Sequence, residues 1–223
     1  MLRFFSKFKY LFITLFVLSV IIISLIYQVL KPKERLTVYE PAMVNPELVD
    51  NSIQYVRKYH TISPFELVNQ NGDTITESNY EDKIYVADFF FTTCLSICPI
   101  MTDNMVRLQE KLKDDQEVMF LSHSVTPEID SVPRLKEYAL EKGVIDSKWN
   151  MVTGDKKQIY ELARKSYMAV KTIGDGGPFD MIHTENFILV DKKKRIRGFY
   201  DGTKEEDMEK LLHDIQVLKT EYQ

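Results

Sequence analysis

A chain of 223 residues, 44% of them hydrophobic, with only eight glycines and eight prolines, can build one core of ordinary size; this excludes a disordered or low-complexity protein. The net charge of −4 conceals an asymmetry, since residues 1–35 hold six basic side chains against one acidic and the remainder holds 23 against 32. An acidic body without a basic stripe argues against nucleic acid as a partner, and no period of self-similarity marks a repeat protein.

Residues 11–30 (LFITLFVLSVIIISLIYQVL) run for 20 residues without a charge, about 30 Å as a helix, the depth of a bilayer core. A cleaved signal peptide would carry a shorter apolar region and a small-residue cleavage site, whereas Lys31-Pro32-Lys33-Glu34-Arg35 follows here. The segment reads as a retained single-pass anchor. Arg3, Lys7 and Lys9 face Lys31, Lys33 and Arg35 across it, so the positive-inside rule barely discriminates the orientation. The short N-terminus, residues 1–10, is expected in the cytoplasm, with the globular part on the non-cytoplasmic face, periplasmic in a bacterium. Residues 31–58, with Pro32, Pro41 and Pro46, read as a linker with at most a short helical piece near Pro46 to Asp50, and the domain is expected over 59–223.

The domain opens on Phe65 to Ile75, two short strand-like runs about Asn71-Gly72, a strong local hairpin signal. Ile84 to Phe91 (IYVADFFF) reads as a buried strand, and Met101 to Leu112 has apolar residues at helical spacing. Between them lie Cys94 and Cys98, the only cysteines of the chain. Pro99 disfavours a helical Cys98 and fits the first helical position itself, so Cys98 is expected near the cap. A thiol there faces unpaired backbone N–H groups and the positive end of the helix dipole, which lower its pKa. Isolated cysteines are often only small buried apolar groups; two placed together beside a proline, on a turn that exposes side chains, point to redox exchange or a soft metal.

A β/α alternation follows. Val118 to Ser122 reads as a strand and Val132 to Lys142 as a helix, with Pro133 near its start and Gly143 at its stop. Trp149 to Thr153 reads as a strand, followed by a helix from the cap Asp155 to about Ser166. A looser segment, Lys171 to Met181, ends at His183. Asn186 to Val190 and Arg195 to Tyr200 read as antiparallel strands, before an amphipathic helix burying Met208, Leu211, Leu212, Ile215 and Leu218. The pattern predicts an α/β domain, a mixed sheet with helices on both faces.

This order resembles the thioredoxin fold with an N-terminal β-hairpin, and within it the chain resembles the Sco/SenC family. The resemblance is carried by Cys94-Leu95-Ser96-Ile97-Cys98-Pro99, Ser124-Val125-Thr126-Pro127, Trp149 with Thr153-Gly154, and Asp180-Met181-Ile182-His183, and it spans roughly residues 60–220. Cys-x3-Cys alone is unspecific; joined to a proline and to a histidine 85 residues on, it is a specific combination. The resemblance implies that Cys94, Cys98 and His183 bind one copper ion per chain. It also implies a role in assembling the binuclear copper site of cytochrome c oxidase, with the copper-bearing subunit as partner. Ser96 stands where the family typically carries an acidic residue, and the wording around His183 is not its commonest; neither change removes a ligand.

Two thiolates and an imidazole suit Cu(I) and tolerate Cu(II), while zinc accepts the same set; the family resemblance is what favours copper. Thioredoxin-like redox enzymes carry a cis-proline in the loop facing their cysteines, and Thr184-Glu185-Asn186-Phe187 has none. With His183 in that loop, coordination is favoured over ordinary disulfide exchange. Asp180 is a candidate to orient His183. His123 lies near the carboxyl end of a strand, where α/β folds gather their sites. His60 falls at the hairpin's edge, His213 on a polar helix face, Met101, Met105 and Met181 at spacings that suit core packing, and Lys192 to Arg195 on a solvated hairpin tip. Alternatives to the copper chaperone are a thiol-disulfide oxidoreductase that reduces the recipient's cysteines, a redox-signalling relative, and a thiol peroxidase.

Overall fold

The computed structural model describes residues 8–30, 34–170, 182 and 184–223, which separate into two units, Met1–Glu34 and Arg35–Gln223. The first holds helix α1 (Lys9–Leu30), whose stretch Lys9–Tyr27, with a mean hydropathy of 2.6, is long and apolar enough to cross a membrane.

The second unit is built on one seven-stranded sheet. Strands β1 (Glu66–Asn69) and β2 (Thr74–Thr76) pair antiparallel across Asn71-Gly72, with Gly72 at φ +84°. All seven residues of β3 (Ile84–Phe90) are buried, as apolar runs become when a sheet is covered on both faces. Helix α2 (Ile97–Leu112) returns the chain to β4 (Val118–Ser124), and α3 (Val132–Lys142) returns it to β5 (Trp149–Thr153). These crossovers make β3, β4 and β5 parallel. Helix α4 (Lys156–Glu161) runs into a π-helical turn, Leu162–Ser166. Strand β6 (Asn186–Val190), β7 (Ile196–Asp201) and helix α5 (Glu205–Glu221) close the fold. The strand order is β2-β1-β5-β4-β3-β6-β7, with β1, β6 and β7 antiparallel to their neighbours. This is the thioredoxin-like α/β architecture with an N-terminal hairpin.

The two-residue period of β3 divides the core. Ile84, Val86 and Phe90 pack with Met101, Met105, Leu135, Leu211 and Ile215, contributed by α2, α3 and α5. Tyr85, Ala87 and Phe89 pack on the other face with Ile159, Leu162 and Tyr167 and with Ile62 and Phe65 ahead of β1.

Three elements differ from expectation. Helix α2 begins at Ile97, before Pro99, so Cys98 lies inside its first turn. First-turn N–H groups have no intrahelical acceptor, so a proline there forfeits no hydrogen bond. Regular α4 stops at Glu161 and the π turn carries the helix on, Tyr167 N donating to Leu162 O at 2.8 Å. The segment 31–58, expected as a linker with at most a short helical piece near Pro46 to Asp50, makes 3₁₀ turns at Pro46–Leu48, where that piece was expected, and also at Pro41–Met43, and bonds to the domain through Tyr39 N to Ile196 O at 2.9 Å.

Candidate functional site

Cys94 lies in the turn between β3 and α2 and Cys98 in the first turn of α2, at the carboxyl end of β3. Cys94 N donates to Phe91 O at 3.2 Å, which folds the turn back on the strand it leaves. Both cysteines are reduced and buried, 7% and 3% exposed, beside Phe90 and Met101. Leu95 between them is 96% exposed, so the turn itself stands at the surface.

The two thiols are unequal. Burial opposes ionisation of Cys94, but the N–H groups of Cys98 and Ser96, the Ser96 hydroxyl at 3.6 Å and the Cys98 thiol together outweigh it and lower its pKa to about 7. These are the first-turn donors that a helix start leaves free. Burial pushes Cys98 up to about 12, assisted by the thiol and charge of Cys94 and by Asp88, against a bond from the Phe91 backbone. Near neutral pH Cys94 is therefore substantially ionised, a nucleophilic sulfur beside the protonated Cys98.

Asp88, below the turn on β3, is a residue that the sequence reading passed over. Its position two before Phe90 puts it on the face of the sheet that carries the cysteines. Burial raises its pKa to about 7, against the Ser122 hydroxyl, which donates to it in a short hydrogen bond. Trp149 Nε1 donates to Ser122 Oγ at 2.8 Å, so strands β3, β4 and β5 share one buried polar chain. The signal was a lone carboxylate in the otherwise apolar run IYVADFFF.

His183, the expected third ligand, lies outside the described residues, as do Asp180, Met181 and the rest of 171–181. On either side of it, Ile182 is buried, and Thr184 Oγ1 and Asn186 Nδ2 donate to Ala169 O at 2.7 and 2.9 Å. Among the described residues no three His, Cys, Asp or Glu side chains form a metal-binding group. The structure thus brings Cys94 and Cys98 together.

His123 does not line the site. It is fully buried on the opposite face of the sheet, stacked on Phe89 at 4.7 Å and edge-on to Tyr167 at 5.3 Å. Its Nδ1 bonds to Asp88 O at 3.1 Å, and its Nε2 finds no partner among the described residues. Burial lowers its pKa to about 4 against that bond, so it stays neutral. His60 Nε2 meets Ser166 O at 2.7 Å, and the largely exposed His213 meets Asp214 at 3.2 Å. Met101 and Met105 are core residues.

The SCO1/SenC family model matches residues 54–219. The chain belongs to the SCO1/SenC family. A family relative, the SCO1 protein homolog of Bacillus subtilis, is 31% identical over 163 residues, covering 72% of this chain and 84% of that protein. Among solved structures the chain is similar to BsSco, described as having a disulfide switch and as a member of the Sco family of cytochrome c oxidase assembly proteins. The identity there is 31% and the TM-score 0.62, covering 72% of this chain and 94% of that one. It is also similar to Bradyrhizobium japonicum ScoI with copper bound, at 26% identity and TM-score 0.52, covering 70% of this chain and 99% of that one. Sco-family structures thus hold copper.

Proposed function

We propose that this SCO1/SenC chain is a membrane-anchored copper carrier in which Cys94, Cys98 and His183 hold one copper ion as cargo for the copper-bearing subunit of cytochrome c oxidase, in assembly of its binuclear copper site. The observation that carries the reading is the free cysteine pair at the start of α2, Cys94 in the turn before it and Cys98 in its first turn, with the Cys94 pKa lowered to about 7. A thiolate is the form that ligates metal, and the lowered pKa of Cys94 makes that form readily available near neutral pH. Cys98 holds its proton until the ion displaces it, so uptake is pH-dependent and releases acid. Sulfur with imidazole suits Cu(I); zinc fits the same donors, and copper in a family member 26% identical supports copper over it. Three protein ligands leave room for a recipient's ligand to attack.

In this reading residues 11–30 anchor the chain with residues 1–10 in the cytoplasm, 31–58 link, and the domain of 59–223 works on the non-cytoplasmic face. The length and hydropathy of α1 support the anchor.

A second reading has its own support: unequal thiols are what disulfide exchange uses, and BsSco is described as having a disulfide switch. Cys94 thiolate would attack a recipient's disulfide and Cys98 would then displace it, releasing the recipient's dithiol and leaving the Cys94–Cys98 disulfide. His183→Ala separates the two. The copper reading predicts at least tenfold weaker copper binding with disulfide reduction retained. Unchanged copper binding with lost reduction would replace the carrier by the reductase.

A further inference from the structure

The loop between β4 and α3 carries a fully buried carboxylate, Asp130, that neither the metal nor the thiol chemistry employs. It accepts four hydrogen bonds: from Thr92 N at 3.1 Å, Thr92 Oγ1 at 2.6 Å, Ser124 Oγ at 2.6 Å and Thr126 Oγ1 at 3.1 Å. Arg134 Nε donates to Thr92 Oγ1 at 3.1 Å. Arginine only donates and a carboxylate only accepts, so the direction Arg134 to Thr92 to Asp130 is forced and the Thr92 hydroxyl has one orientation.

Asp130 is itself held. Its N–H donates to Thr126 O at 2.9 Å, Val125 N donates to Phe90 O at 2.9 Å, and Tyr160 Oη donates to Val125 O at 3.0 Å. The loop is therefore fastened both to the end of β3 and to α4, and Thr92 is secured on it by backbone and side chain. Thr92 stands two residues before Cys94, on the same turn whose Cys94 N–H closes on Phe91 O. Apolar packing would bury this loop without the desolvation that a carboxylate costs; what directional bonds add is a single position for the turn.

We propose that Asp130 is a positioning residue for the cysteine turn: acting through Thr92, it holds Cys94 where the reduced pair is ready for metal and resists closure to a disulfide. The copper half of this inference rests on the function proposed above; the thiol half does not.

The test uses the full chain in detergent, the variants Asp130→Asn and Thr92→Val, and Ser124→Ala as control. Ser124→Ala removes one bond to Asp130 but leaves both bonds to Thr92. Each protein is equilibrated with dithiothreitol: the Cys94 and Cys98 thiols give two electrons and two protons to the oxidised reagent, forming one disulfide and the reduced reagent. Asp130→Asn and Thr92→Val are expected to shift this equilibrium about tenfold toward the disulfide, about 30 mV, with Ser124→Ala within twofold of wild type. Cu(I) affinity, read in competition with a chromophoric chelator, is expected to fall by a similar factor in the first two only. Thermal melts identify variants that are simply unfolded, and Thr92→Val, which keeps the buried carboxylate and its N–H bond, carries the test if Asp130→Asn is one of them. Folded variants whose equilibrium stays within twofold, or moves toward the dithiol, overturn the proposal, as does a Ser124→Ala shift equal to that of Thr92→Val. A wild-type chain that takes up no Cu(I) while the variants still shift the thiol equilibrium sinks the copper function and leaves Asp130 its role.

Discussion

Single residues around the turn divide into those whose ionisation the fold favours and those whose ionisation it opposes. Cys94 gathers the hydrogen bonds of a helix start, while Cys98, one turn on, is buried among Phe90 and Met101 and keeps its proton. Alkylation with iodoacetamide, mapped by mass spectrometry, should label Cys94 with a midpoint near pH 7, and Cys98 should stay unlabelled to at least pH 9; equal labelling of both would contradict the asymmetry. Asp88 is the opposite case from a surface carboxylate. Its pKa is raised in the fold, from 3.8 to about 7, so the folded state prefers the neutral acid. The stabilising contribution is full below pH 3.8 and is lost as the pH rises through about 7. Asp88→Asn, which keeps an acceptor for the Ser122 hydroxyl, should therefore stabilise the domain at pH 8 by roughly 2–4 kcal/mol and have little effect at pH 4. Urea denaturation at the two pH values measures this, and destabilisation at pH 8 would mean that the fold needs the charge.

Elements show which parts of the architecture local sequence could specify. The hairpin turn Asn71-Gly72, and α3 with Pro133 in its first turn and Gly143 at φ +75° as its left-handed stop, were legible because each signal lies within a few residues of what it controls. The cysteine turn was legible for the same reason. The π turn after Glu161 was not, because apolar spacing does not register one extra residue in a turn, and here Leu162, Ala163, Arg164 and Ser166 are all buried. The packing of 35–58 was also hidden, since its partners are remote. Arg197 on β7 binds Leu36 O at 2.7 Å and Thr37 O at 3.2 Å, and pairs with Asp191 at 2.9 Å and Glu221 at 2.7 Å. Nothing near Leu36 in sequence announces an arginine on the last strand. Burial opposes ionisation of Asp191, but Arg195 and Arg197 outweigh it and hold its pKa down, so this cluster's contribution is present at neutral pH and lost as the solution is acidified. Arg197→Met strips a fully buried Asp191 of one of its two arginines and should cost about 3–5 kcal/mol. Urea denaturation at pH 7 checks this; a loss under about 1 kcal/mol would show that the pair is dispensable.

Across the whole molecule, a helix long and apolar enough to span a bilayer precedes a thioredoxin-like domain in which β3 leads into two unequal thiols at the start of α2. The polar chains below that turn, Trp149 to Ser122 to Asp88 and Arg134 to Thr92 to Asp130, join residues from different strands and loops. Bonded neighbours within them lie 27 to 42 residues apart, so only the fold reveals them, although the lone carboxylate in IYVADFFF was a visible clue. What the sequence conveyed best was the family and the cysteine pair, two cysteines four positions apart at a strand-to-helix turn; that they and His183 are the copper donors is the proposal made above. The most direct measurement is the copper content of the full chain, purified reduced from copper-supplemented cells, beside Cys94→Ser and Cys98→Ser. The account predicts one copper ion per wild-type chain and less than a tenth of that in either variant. Equal copper in all three would contradict it.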